Sequence, residues 1–436
     1  VSEPGSGRVR RLLVAGIGVV LLLAAGILVW RMTAAAPAPL PPVEWPTAAP
    51  ETEGLNEAAL TSLSEDLAER GTKVFLVARR GHLVYEWYAR YFDERQLHYT
   101  ASMVKGTAAT PVLVAAMQRG LLSLDDRVAE WVPEWEADPE RSRITIAHLA
   151  FHNSGLEDVD FDLGQQNALT GWKQRYYDHP AERYRLAIDS ASLLFSPGSG
   201  YSYSGVGYYV LSYVVSRALQ AEPTPDIPSL LDEAIYGPIG IPTDAWSIGY
   251  DRVDMVDGLR LTHFGSGGYI TGRAAARIGQ LVLQRGCWEG RQILDPELLD
   301  TMLGRREEAP VPPGDSADAD LVPADGWWPA SASIGGWWTD LDGAWPPGAR
   351  GAVAALGYGH QIVWVDPKLD LVVVRLGRDL TEGREAFDVA LARHFVTPLY
   401  EALTGAEPLD ASDAAHDVHG IEGCREGAHT DEGLNG

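Results

Sequence analysis

The sequence predicts an α+β domain: one antiparallel sheet formed by both ends of the domain, with a helical region inserted between them. Three observations carry this. Two β-rich runs, residues 74–78 and 83–91, lie early in the domain, and two more, residues 361–365 and 369–376, lie late. Between them, residues 102–119, 144–151 and 207–219 show the apolar spacing of helices. Strands gathered at the ends, not alternating with helices, favour α+β over α/β. With 46% hydrophobic and 22% charged residues in 436, the chain has the composition of a folded core.

In chain order, residues 1–11 hold Arg8, Arg10 and Arg11, and residues 12–30 are nineteen uninterrupted apolar residues. At 1.5 Å per residue that run is long enough for a hydrocarbon core of about 30 Å. The arginines ahead of it predict a single-pass transmembrane helix with a cytoplasmic N-terminus. The folded domain would then be extracytoplasmic, in the periplasm or on the cell surface. A cleaved signal peptide is the competing reading, and the run exceeds the usual apolar region of such peptides. Residues 31–51 form a Pro/Ala-rich linker, with six prolines in the seventeen residues 34–50. The folded domain is expected over residues 52–405. Residues 406–436 carry eight acidic residues against Arg425 alone and read as a solvated tail.

Within the domain, Leu60, Leu63 and Leu67 mark a short amphipathic helix ending at Gly71. A hairpin follows, turning at Arg79-Arg80-Gly81-His82. Residues 102–119 read as a helix despite Pro111, and residues 385–403 as a closing helix kinked at Pro398. The two late strands turn through Asp366-Pro367-Lys368. Residues 305–350, rich in Pro, Gly and Trp, read as a loop that either walls a cleft or packs on the core. Cys287 and Cys424 could pair in an oxidising compartment, and the sequence leaves that open.

A net charge of −25 argues against nucleic-acid binding, which needs a surplus of basic residues. No phosphate-binding loop, H-E-x-x-H pair or EF-hand loop occurs, so no cofactor or metal is implied. No G-x-S-x-G elbow occurs either. The chemistry centres on Ser102-Met103-Val104-Lys105. Positions i and i+3 share a helix face, so the serine hydroxyl and lysine amine can meet. Serine needs a base, and a lysine serves only when its surroundings keep it partly neutral. The chain has four lysines, and Lys105 stands in an almost uncharged segment. Tyr203-Ser204-Gly205 follows about a hundred residues later. His148 and His152, in an apolar helix, read as core residues.

These motifs, with Ile144-Thr145-Ile146-Ala147-His148-Leu149 and Gly267-Gly268-Tyr269-Ile270-Thr271, resemble the serine β-lactamase and penicillin-binding-protein superfamily over roughly residues 52–403. The resemblance is to the branch of class C β-lactamases, D-aminopeptidases and carboxylesterases. The stretch Gly357-Tyr358-Gly359-His360-Gln361 is similar to the subgroup of 6-aminohexanoate-dimer hydrolases. The resemblance implies a β-lactamase-like fold and a serine hydrolase cleaving a small-molecule ester or amide. It makes Ser102 the acylated residue, with Lys105 and Tyr203 as proton relay. It places the main-chain N–H groups of Ser102 and Leu356 in the oxyanion hole. It puts Gly205, Ala355 and His360 in contact with substrate. Gly205 stands where the family has an asparagine. Counting back from the late strands sets Val353-Ala354-Ala355 where it has a cationic Lys- or His-Thr/Ser-Gly motif. Without that cation, carboxylate-bearing substrates lose their anchor, which disfavours the β-lactamase and D-peptidase alternatives. A non-catalytic penicillin-binding-like receptor is the alternative from another class.

Overall fold

The computed structural model describes residues 45–159, 169–223, 225–305, 332–339, 345–381, 385–403 and Cys424. The expected membrane-spanning run at residues 12–30 and nearly all of the acidic tail lie outside the described residues. Among the described residues, no helix is long and apolar enough to cross a membrane.

Helix α1 (Glu57–Glu69) starts at Asn56, whose side chain accepts the Ala59 N–H at 2.9 Å, and buries Leu60, Leu63 and Leu67. The hairpin of β1 (Thr72–Arg79) and β2 (His82–Tyr88) follows. The other strands of the main sheet come late: β3 (Ala332–Ile334), β4 (Trp337–Thr339), β5 (Val353–Gly357), β6 (Gln361–Asp366) and β7 (Leu371–Gly377). Their order is β3-β4-β5-β6-β7-β1-β2, with every neighbouring pair antiparallel. The first strand therefore pairs with the last, Val77 opposite Val373, as the sequence predicts.

Both faces of this sheet are covered, and the side-chain alternation of strands divides the core accordingly. Val74, Leu76, Val363, Val365, Val372 and Val374 join the large core with the inserted helices. Phe75, Val77, Ile362, Trp364 and Val373 join a second core that includes α1 and the closing helical segment. Burial on both faces explains why these strands read as continuous apolar runs.

Two expectations need correction. Residues 305–350 are not all loop, because β3 and β4 arise there and extend the sheet beyond β5. Residues 102–119 are not one regular helix. A 3₁₀ turn (Ala101–Met103) and a π turn (Lys105–Ala109) precede α2 (Thr110–Gln118). Pro111 explains the wide turn, having no N–H for the fourth carbonyl back and a ring that crowds it. Sending the Thr110 N–H to the Lys105 carbonyl instead lets the proline enter in the first turn of α2. The closing segment repeats the device, with a π turn (Ala392–Val396) directly ahead of Thr397-Pro398.

The two cysteines are joined: Cys287 and Cys424 form a disulfide with their Cα atoms 6.3 Å apart. The question left open by the sequence is thereby answered.

Candidate active site

Ser102 sits in the 3₁₀ turn that follows the short strand His98–Tyr99. Ala101, directly before it, adopts a left-handed backbone with φ of 47°, which costs an L-residue about 1–2 kcal/mol. The neighbouring chain holds it there. Gly267 N–H donates to the Ala101 carbonyl at 3.1 Å, and Thr100 N–H donates to the Gly268 carbonyl at 3.0 Å. The Gly267-Gly268 stretch is thus the clamp on the serine turn.

Lys105 is buried, with 2% of its surface exposed. Its Nζ donates to the Tyr203 hydroxyl at 2.8 Å and to the Gly265 carbonyl at 2.5 Å, and lies 3.4 Å from Ser102 Oγ. The amine also faces the rings of Tyr203 and Tyr208, at 4.6 and 5.0 Å. Burial pushes its pKa well down, and the charge of Asp158 partly opposes that. Tyr203 also contacts Ser102 through its hydroxyl, and burial holds that phenol protonated, above its ordinary range. The site therefore pairs a depressed amine with a neutral phenol. An amine so depressed can accept a proton near neutral pH, and a phenol so raised does not rest as phenolate.

Tyr203 is fixed from three sides. Its ring stacks on Trp338 at 5.7 Å and on His152 at 4.3 Å. His152 Nδ1 accepts the Ser204 N–H at 3.0 Å, and the His152 carbonyl accepts the Ser202 N–H at 2.9 Å. Ser204 then caps α3 (Gly205–Ala218) by accepting the Gly207 N–H at 2.9 Å. His152 is a buried core residue, as expected, and burial keeps it neutral.

The opposite wall is the end of β5. A Cβ on Gly357 would lie 2.2 Å from the Thr100 carbonyl oxygen and 2.9 Å from the Met103 nitrogen, so the strand meets the serine turn at this glycine. A Cβ on Gly106 would lie 2.7 Å from the Ala355 Cβ. Ala355 therefore packs beneath the helical segment, past Lys105, and is fully buried. It is not a substrate contact. Leu356 directs its side chain into the second core. The motif position facing Ser102 is thus two residues later than the count from the strands implied.

Gly205 and His360 are also misplaced as substrate contacts. Gly205 is buried at the start of α3, where its N–H donates to Asp158 at 2.8 Å. His360 is fully buried and stacked on Phe387 at 3.8 Å. Its Nδ1 lies 2.8 Å from the Asp379 carboxylate and its Nε2 lies 3.0 Å from the Phe387 carbonyl. That is a structural role.

Sequence reasoning missed Asp158 altogether. Its carboxylate accepts the N–H groups of Gly205 and Val206, at 2.8 and 3.1 Å, on the turn that follows Tyr203. No motif flags a single aspartate, and only the fold brings it under α3. Trp338 lies in the Trp-rich stretch 305–350, and no spacing in the sequence indicates that it stacks on Tyr203.

The Beta-lactamase family model matches residues 60–396. The 6-aminohexanoate-dimer hydrolase of Paenarthrobacter ureafaciens is 24% identical over 325 residues, 73% of this chain and 75% of that one. Esterase EstB of Burkholderia gladioli is 33% identical over 184 residues, 38% of this chain and 45% of that one. Simvastatin synthase (LovD) from Aspergillus terreus superposes with a TM-score of 0.57 at 20% identity, covering 80% of this chain and 98% of that one. With the match spanning most of its folded part, the chain belongs to the Beta-lactamase family and is a β-lactamase-related serine hydrolase.

Proposed function

We propose that the chain cleaves a small-molecule ester or amide through an acyl-enzyme on Ser102. The observation that carries this reading is the buried Lys105 amine, within reach of both the Ser102 and the Tyr203 hydroxyls. Neutral Lys105 takes the Ser102 proton as Oγ attacks the substrate carbonyl. The tetrahedral intermediate collapses, and the proton passes through Tyr203 to the departing alcohol or amine. Water enters by the same route, giving its proton to Lys105 as it attacks the ester, and Ser102 regains a proton when the acid leaves.

The negative oxygen of the intermediate needs two preorganised donors. The Ser102 N–H is one. N–H directions alternate along a strand, so Leu356 and Tyr358 direct theirs to the same side. Gly357 abuts the serine turn, and we place the hole at Ser102 and at Tyr358, the residue that leaves that contact, in preference to Leu356. Ala355-Leu356-Gly357 offers no cation, which favours substrates without a carboxylate. The curated relatives named for amide and ester cleavage support both bond types.

Residues 12–30 are proposed as the membrane anchor, with the catalytic domain extracytoplasmic. The arginines ahead of the run support that orientation. A disulfide suits the same side of the membrane, since such bonds persist in oxidising compartments.

The test is intact-protein mass spectrometry after exposure to p-nitrophenyl esters, short amides, penicillins and a fluorophosphonate probe. A mass increment lost in Ser102→Ala is expected. Acylation that persists at the original rate in Ser102→Ala would refute the assignment.

A further inference from the structure

Asp158 belongs to no recognised motif, yet both its oxygens are committed next to the catalytic tyrosine. Oδ2 accepts from Gly205 and Oδ1 from Val206, the first two residues of α3. Burial pushes the Asp158 pKa up to about 6, and these N–H groups, at the positive end of a fourteen-residue helix, oppose that rise. Tyr203 is two residues upstream, so holding Gly205 holds the turn that presents the phenol. The glycine at 205 leaves this position without a side chain of its own, and the aspartate meets its backbone instead.

The groups facing Lys105 make the carboxylate matter electrically. They are the hydroxyls of Ser102 and Tyr203, the ring of Tyr208, the Gly265 carbonyl, and the more distant His152 and His263. Burial keeps both histidines neutral and the tyrosines protonated. Among the described residues, Asp158 is the anion whose field reaches the amine.

We propose that Asp158 is a positioning residue for the reaction, bracing the turn that presents Tyr203 through its hydrogen bonds to the Gly205 and Val206 N–H groups while its negative charge acts on Lys105. The inference rests on the proposed acylation of Ser102.

The experiment measures the pH dependence of fluorophosphonate labelling of Ser102 in the full chain, read by intact mass. Removing a neighbouring anion lowers the pKa of an amine, so a larger share of Lys105 is neutral at a given acidic pH. In Asp158→Asn the acid limb should move about one pH unit lower, with a plateau several-fold below wild type. Asp158→Glu keeps the charge, so its acid limb should stay at the wild-type position while its plateau falls. A residue that only caps the helix would leave the acid limb of Asp158→Asn in place, and that result overturns the proposal. If Asp158→Asn is insoluble, Asp158→Ser provides the same uncharged comparison. Absence of labelling in the wild-type protein would instead refute the reading of Ser102.

Discussion

The two walls of the site are built differently. The helical wall carries the proposed reactive groups, with Ser102, buried Lys105 and the phenol of Tyr203 within hydrogen-bonding distance of one another. The strand wall, at the end of β5, carries only alanine, leucine and glycine. One wall depends on side-chain chemistry and the other on backbone position. Substitutions should therefore fail in different ways: on the helical wall by removing a proton acceptor, on the strand wall by displacing atoms.

The largest effect is expected from Lys105→Met. It preserves the length of the side chain and removes the proposed base, so kcat/KM should fall about 10²–10⁴-fold, the range of a general base. The wild-type pH profile sharpens this. Burial brings the lysine pKa to about 7, and the amine works only when neutral. Activity should thus drop about tenfold per unit as pH falls below that value, and level off above it. Lys105→Met should lack this limb in its residual rate. A shallow loss in Lys105→Met with the limb intact would show that the helical wall does not supply the base.

Gly357→Ala probes the strand wall. The added carbon would meet the Thr100 carbonyl at 2.2 Å and must push the serine turn away from β5. A misplacement near 1 Å costs about 10²-fold in rate. The expected signature is a fall in kcat with near-normal burial of Lys105, read from an unmoved acid limb. If kcat is unchanged, the strand does not set the position of Ser102.

The helical wall was legible in the sequence, and the strand wall was not. The i, i+3 spacing of Ser102 and Lys105 is local, and Tyr203 stands in a distinctive run of glycines and tyrosines. The register of β5 depends on pairing across the sheet, and counting from β6 gave an answer two residues early. The signal that could have corrected it was Gly357 itself, because a glycine closing an apolar strand marks close approach of another backbone. The fold was legible for a related reason: runs such as Leu371-Val372-Val373-Val374 are buried on both faces and stay apolar throughout. Strands β3 and β4 were hidden because they are three residues long and lie in a Pro/Gly/Trp-rich stretch. Asp158 was invisible because its meaning comes from α3, some fifty residues away in sequence.

His360 sharpens the same contrast at the smallest catalytic effect. The resemblance set His360 against substrate, yet it is its neighbour Tyr358 that is exposed. The chain turns between them. His360 has φ of 53° and points inward, against Phe387 and Asp379, while Arg375 donates to the carbonyls of Gly359 and His360 at 2.9 and 2.7 Å. These contacts lock the β5–β6 turn from beneath. His360→Ala removes a buried ring and two polar contacts, so a loss of about 2–4 kcal/mol in stability is expected. KM should stay within about twofold of wild type at temperatures where the variant remains folded. Chemical denaturation and steady-state kinetics on the same preparation separate the two effects. A raised KM with unchanged stability would return His360 to the substrate pocket and move the boundary of the strand wall outward by one turn.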